Sequence, residues 1–262
     1  MHVTGGSAAP VRERGQDVAA TFGIRAWSAC GGDLRDADAW RAWSATPRLL
    51  AQAEAPALPE MAPMLRRRVP LLGRVALASA YGCPPGREGI PVVFASRHGD
   101  TGRLLEMLKD LAAGEALSPT AFGLSVHNAT GALRSIDRAD PANLQALSAG
   151  RDTVEMAVLE ACSLLADGAP EVLLVYYEAP LAQPYQAFAD EPDCLHSWCW
   201  RISQPREGEP AYSLSLAGKD ATEAGIAPQL PHGLDVLRFV LAGDAELTHA
   251  GENATWRWRR HG

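Results

Sequence analysis

Cysteine is scarce and odd in number. Cys30, Cys83, Cys162, Cys194 and Cys199 are 5 in 262 residues and lie far apart, which argues against a disulfide framework and suits a reducing compartment. Long apolar runs are also missing. The longest, 172–177 and 69–80, are short or broken by Pro, Gly and Arg, whereas a bilayer span needs ~20 apolar residues. No membrane span is expected. Positive charge is in deficit: 24 Lys and Arg against 31 Asp and Glu give a net charge of −7. A nucleic-acid binder, or a protein held on an anionic membrane, needs the opposite balance, because its affinity comes from cations on phosphates. Residues 1–16 contain Gly, Ser and Arg but no apolar segment of the kind a secretory signal carries. Residues 1–18 are therefore expected to form a flexible leader, and the protein to be cytoplasmic.

What is present is an ordinary globular balance, 47% hydrophobic and 21% charged. Residues 19–28 read as a first strand. Trp40 and Trp43, three apart in 36–45, put both rings on one helical face. A helix is expected over 70–81, with Leu72, Val75, Ala76 and Ser79 along its apolar stripe. The run 90–95 reads as a buried strand, followed by a helix over 102–113 that Asp100 or Thr101 can cap and Gly114 ends. A short strand at 144–148 leads into a helix over 151–166 with Val154, Ala157, Val158, Ala161 and Leu165 on one face, and 172–177 is a fully apolar strand. Alternating strand and helix predicts an α/β layer with parallel pairing. After Pro180 the pattern changes to antiparallel strands at 197–202 and 212–216, a helix at 234–241 and an edge strand at 254–259.

Few residues carry obvious chemistry. Cys162 falls among the apolar positions of its helix, where a thiol packs and stays protonated. Ser148 stands at a strand-to-helix corner, where helix N–H groups could hold an oxyanion, but Ala146 occupies the position of the first Gly of a G-x-S-x-G elbow. His127 could serve Ser148 as a base, or could bond locally. His98, just after a strand, could face a ligand or simply be solvated. Cys194-x-His196-x-x-Cys199 resembles half of a zinc site, but no second pair exists, so no metal is expected. Arg66, Arg67 and Arg68 form a basic island suited to solvent or to an acidic partner face. Trp198, Trp200, Trp256 and Trp258 exceed what a small isolated sheet needs.

The segments Ser118-Pro119-Thr120-Ala121-Phe122, Ser125-Val126-His127-Asn128-Ala129-Thr130-Gly131 and Ser135-Ile136, taken in order, resemble the β-ketoacyl synthase (thiolase) superfamily. There a Pro-containing turn leads to an Asn-containing helix and a Ser-Ile strand start. Residues 159–168 followed by Val172-Leu173-Leu174-Val175 resemble the next landmark, the helix that begins at the nucleophilic Cys and the strand behind it. Met64-Leu65-Arg66-Arg67-Arg68 before Leu71-Leu72-Gly73-Arg74 is similar to the short ketosynthase-like N-terminal-domain proteins of aryl polyene clusters, the chain-length factors. The resemblance implies a thiolase-like half: a mixed sheet with helices packed on it, plus short antiparallel strands and a helix at the C-terminal end. It places one ketosynthase-like domain at 19–262, with 181–262 a divergent extension.

Two departures shape the expected function. The nucleophile position of the family falls on Gly150 or Arg151, neither of which can form a thioester. The family's catalytic His pair and Lys belong to a second half, which nothing after Pro180 resembles. The resemblance therefore implies a non-catalytic subunit, without cofactor, that pairs with a full-length β-ketoacyl synthase. An acyl carrier protein is a further candidate partner, with Arg66, Arg67 and Arg68 as its basic contact. By carry-over, Phe122, Leu124, Val126 and Asn128 would face the partner synthase and close the end of its acyl tunnel. The alternative is a stand-alone thiolase-fold acyltransferase or hydrolase using Ser148.

Overall fold

The computed structural model describes residues 18–52, 54–217, 229–252 and 254–262. In chain order the regular elements are β1 (Val18–Gly31), α1 (Ala37–Ala45), α2 (Pro63–Arg66), α3 (Leu71–Gly82), β2 (Val92–Ala95), α4 (Thr101–Ala112), α5 (Pro119–Gly123) and α6 (Ala129–Arg138). They continue with β3 (Leu144–Leu147), α7 (Thr153–Ala166), β4 (Val172–Glu178), β5 (His196–Ser203), β6 (Ala211–Ala217), α8 (His232–Ala242), β7 (Glu246–Ala250) and β8 (Thr255–His261). The expected leader lies outside the described residues except for Val18, which already belongs to β1.

The eight strands form one mixed sheet in the order β3-β2-β4-β5-β1-β6-β8-β7. β2 runs parallel to β3 and β4, and every other pairing is antiparallel. Strand periodicity sorts the side chains into two cores. Val93, Ala95, Val172, Leu174, Tyr176, Trp198, Trp200 and Ile202 face α1, α7 and α8. Val92, Phe94, Leu173, Val175, Tyr177 and Cys199 face the layer that contains α3. With both faces covered, β4 is buried along its whole length, which is why 172–177 is a continuous apolar run that only the terminal Glu178 interrupts. The predicted stripes of α3 and α7 are buried as well, and Trp40 meets Trp43 edge-on at 5.4 Å.

Three expectations are corrected. Ser135 and Ile136 lie inside α6 and do not start a strand; the helix runs up to Ala139, whose left-handed φ of 48° ends it, and the strand begins only at Leu144. The strand near 254–259 is not the sheet edge, because β7 pairs outside β8. β7 escaped the hydropathy pattern since its residues are largely polar and half-exposed, and Glu246 there pairs with Arg257 and Arg259 of β8. Finally, α7 begins at Thr153, after a single 3-10 turn at Gly150–Asp152. The region after Pro180 is built into the sheet: β5 enters between β4 and β1, the first strand of the chain. The four tryptophans are all buried, Trp198 and Trp200 stacking at 4.2 Å.

Candidate functional site

The parallel strands β2, β3 and β4 end on one side of the sheet, where open α/β folds place their ligand crevices. Three features meet there: the corner between β3 and α7, a cleft beside it, and a smaller cavity behind the α5–α6 segment.

The corner is sealed from inside and above. Thr153 Oγ1 donates to Gly150 O at 2.7 Å and accepts from the Ala149 N–H at 3.0 Å, so that N–H is not free to hold an oxyanion. Gly150 has a φ of 57°, a region costly for any other L-residue. A Cβ added there would overlap the Glu252 carboxylate. Glu252 belongs to the turn between β7 and β8, and that hairpin is tied down along the start of α7. His249 Nε2 donates to Arg151 O at 2.9 Å, the Glu252 N–H and Trp256 Nε1 both donate to Asp152 Oδ1, and Trp258 Nε1 donates to Glu155 Oε1 at 2.9 Å. Of the two residues at this corner, Gly150 and Arg151, the geometry leaves no room for a side chain at the first.

Ser148 and His127 are each engaged elsewhere. The Ser148 hydroxyl donates to Arg97 O at 2.7 Å, while His127 Nε2 donates to Leu147 O at 3.0 Å. The structure does not join them as nucleophile and base. Cys162 is half-buried, and desolvation pushes its thiol up to about 12. Cys194 and His196 are in contact, at 3.7 Å, but Cys199 packs in the opposite core beside Cys83, so these three do not converge on one ion.

The cleft beside the corner is lined by Arg97, His98, Glu178, Glu191 and His196 among others. Arg97 is the organiser. Burial opposes its charge, but Glu191 at 2.6 Å and Asp190 at 2.8 Å outweigh that and hold it firmly protonated. Asp190 also lies 3.8 Å from Arg151. Glu178, at the end of β4, accepts from the Arg97 N–H. Desolvation pushes its carboxyl up to about 8, against the partial relief of that bond and of the Arg97 charge. His196, opposite Glu178 on β5, is held neutral by burial; its Nδ1 donates to Cys194 O at 2.9 Å. His98 is exposed, and desolvation and Arg97 lower its pKa.

The smaller cavity lies between the start of α3 and the α5–α6 connection. Leu124 and Val126 line it with Leu72, Asp100, His127 and Tyr177. Phe122 is 60% exposed on α5, and Asn128 is exposed as the residue preceding α6. Ser118 caps α5 by accepting from the Ala121 N–H, which fixes this segment's entry. Arg66 is tied to Leu58 O at 3.2 Å, whereas Arg67 and Arg68 are exposed.

Sequence reasoning missed Arg97, Asp152, Glu155, Glu178, His232, His249 and Glu252. One signal was available: Trp256 and Trp258 share a strand face, and their indole N–H groups need acceptors. Asp152 and Glu155, three apart at the start of a helix, have the matching spacing.

Residues 40–259 match the family model described as beta-ketoacyl synthase, N-terminal domain. No curated protein matches the chain. Among solved structures it is similar to a chain of the ketosynthase (ApeO) in complex with its chain length factor (ApeC) from Xenorhabdus doucetiae. That likeness has 26% identity and a TM-score of 0.74, covering 92% of this chain and 99% of that one. The ishigamide ketosynthase/chain length factor follows at 16% identity and TM-score 0.59, over 75% of this chain and 67% of that one. A beta-ketoacyl synthase from Burkholderia phymatum STM815 has 12% identity and TM-score 0.57, over 76% and 65%. The last two are likenesses of fold. With the family model matched across most of its length and its mixed sheet shared with these structures, the chain belongs to the β-ketoacyl synthase N-terminal domain family.

Proposed function

We propose that this chain is a non-catalytic chain-length-factor subunit that pairs with a full-length β-ketoacyl synthase in the cytoplasm and shapes the end of its acyl tunnel during aryl polyene biosynthesis. The observation that carries the reading is Gly150: at the corner where the resemblance puts the family's nucleophile, on Gly150 or Arg151, stands a left-handed glycine with the Glu252 carboxylate over it. Decarboxylative condensation needs a thiolate to hold the acyl group, and none can be offered there.

Surface features support a partner. β3 pairs only with β2, so one edge of the sheet is open among the described residues. Leu104, Leu108 and Leu111 form an exposed stripe on α4, which buries none of its residues. Both suit burial against a second ketosynthase-type chain. Among the described residues no helix is long and apolar enough to cross a membrane. Arg67 and Arg68 would meet an acidic acyl carrier protein. Leu124 and Val126, with Phe122 and Asn128 beside them, would form the gate, since both line a cavity at the margin of the core that contains Leu72 and Tyr177, where a change of bulk alters its shape.

Co-expression with a ketosynthase and its carrier protein tests this. Leu124→Trp fills the cavity and is expected to shift the product distribution about tenfold toward shorter chains, because overpacking costs ~1–3 kcal/mol per misfit unit. Phe122→Ala is expected to lengthen the product. Unchanged products from an intact complex would refute the gate, and failure to co-purify with the ketosynthase would refute the pairing.

A further inference from the structure

We propose that Glu155, His232 and His249 form a binding site for one divalent transition-metal ion, zinc by preference. The three side chains come from separate elements: the first turn of α7, the first residue of α8, and β7. One ligand atom from each lies within 4.8 Å of the others. Around a tetrahedral zinc with bonds of ~2.0–2.1 Å, ligand atoms are about 3.4 Å apart, so small side-chain rotations bring these three onto an ion. The imidazole rings are stacked, with centroids 3.3 Å apart and planes 11° apart. Coordination asks them to fan apart so that their lone pairs converge.

Independent evidence comes from the carboxylate. Glu155 is fully buried, and its Oε1 already accepts from His232 Nε2 at 2.7 Å and Trp258 Nε1 at 2.9 Å. Its Oε2 is buried without a hydrogen-bond partner. A buried carboxylate oxygen left unpaired is costly, and a cation is the partner that satisfies it beside two imidazoles. The surrounding bonds suit metal ligands. The His249 Nε2–H donates to Arg151 O, leaving Nδ1 as the lone-pair nitrogen, and the His232 N–H donates to Glu191 Oε2 at 2.9 Å, which fixes the start of α8. On binding, the His232 imidazolium paired with Glu155 gives its Nε2 proton to solvent and keeps the one on Nδ1, so the ring is neutral and its Nε2 lone pair goes to the ion. Two neutral nitrogens and one carboxylate leave the fourth zinc position to water.

Such an ion would pin the β7–β8 hairpin to α7 and α8, under the same corner that Glu252 covers. This inference does not depend on the partner reading above.

The test uses the full chain purified without a polyhistidine tag. Elemental analysis is expected to find about one equivalent of zinc. After stripping with EDTA, added Zn²⁺ is expected to raise Tm by about 5 °C or more, and added Co²⁺ to give the visible absorption of a tetrahedral site. His249→Ala, on the half-exposed edge strand, is expected to fold and to lose both responses; Glu155→Gln is the second variant and is expected to weaken them. One equivalent of another divalent transition metal upholds the site and changes only the ion. Less than a tenth of an equivalent with no response to Zn²⁺, or an identical response in His249→Ala, overturns the proposal.

Discussion

Glu178→Gln is expected to flatten a fall in stability that the protein otherwise undergoes between about pH 5 and pH 9. The carboxyl sits at the end of β4 in a position closed to solvent, and desolvation pushes its pKa from 4.5 up to about 8. In this window the folded chain holds a proton on Glu178 that the unfolded chain has released, so raising the pH favours unfolding. The stabilising protonation is fully present below the unfolded pKa and is lost as pH rises through the folded one. The whole shift corresponds to about 5 kcal/mol at most. The amide introduced by Glu178→Gln keeps an acceptor for the Arg97 N–H and cannot ionise. Urea denaturation of both proteins at pH 5 and pH 9 measures the effect: their stability difference should favour the variant by several kcal/mol more at pH 9. Parallel profiles would mean that Arg97 and water keep Glu178 ionised at neutral pH.

Much of the architecture was legible in single residues. The apolar run of β4 and the stripe Val154, Ala157, Val158, Ala161 and Leu165 of α7 carry their period because each packs on a dry surface. Asp100 and Gly114 punctuate α4 for local reasons, a side-chain cap and a left-handed φ of 75°, that need no tertiary context. β7 lacked such a signal because its stability comes from across the sheet, through Glu246 and the arginines of β8. The site was less legible still. Gly150 stood out only through family resemblance, and nothing local to it announces that Glu252, far along the chain in the β7–β8 turn, will cover it. The Glu155–His232–His249 group is invisible to spacing rules, since its members meet only when β5 and β6 have carried the chain back across the sheet. The histidines after Pro180 therefore read as an absence of the family's His pair, where the structure holds a stacked pair of its own.

Gly150→Cys places a thiol at the corner and is expected to destabilise the protein by about 2–5 kcal/mol without conferring condensing activity. Two costs add. Holding a residue with a Cβ at φ 57° costs about 1–2 kcal/mol. The new side chain also overlaps the Glu252 carboxylate, and forced overpacking costs about 1–3 kcal/mol. These parts are separable. Glu252→Ala alone should have a small effect, because that carboxylate accepts no hydrogen bond among the described contacts, while Gly150→Cys/Glu252→Ala should recover the overlap cost and retain the backbone cost. The interaction energy of the double-mutant cycle, read from urea midpoints, is therefore expected at about 1 kcal/mol or more. Neither variant should acquire an acyl adduct by intact mass after incubation with acyl carrier protein. The Ala149 N–H is engaged by Thr153 Oγ1, and His249 Nε2 is engaged by Arg151 O, so neither an oxyanion donor nor a proton acceptor is aimed at the new thiol. A Gly150→Cys protein as stable as the wild type, or one that takes up an acyl group, would show that the hairpin yields and that the corner is a working site.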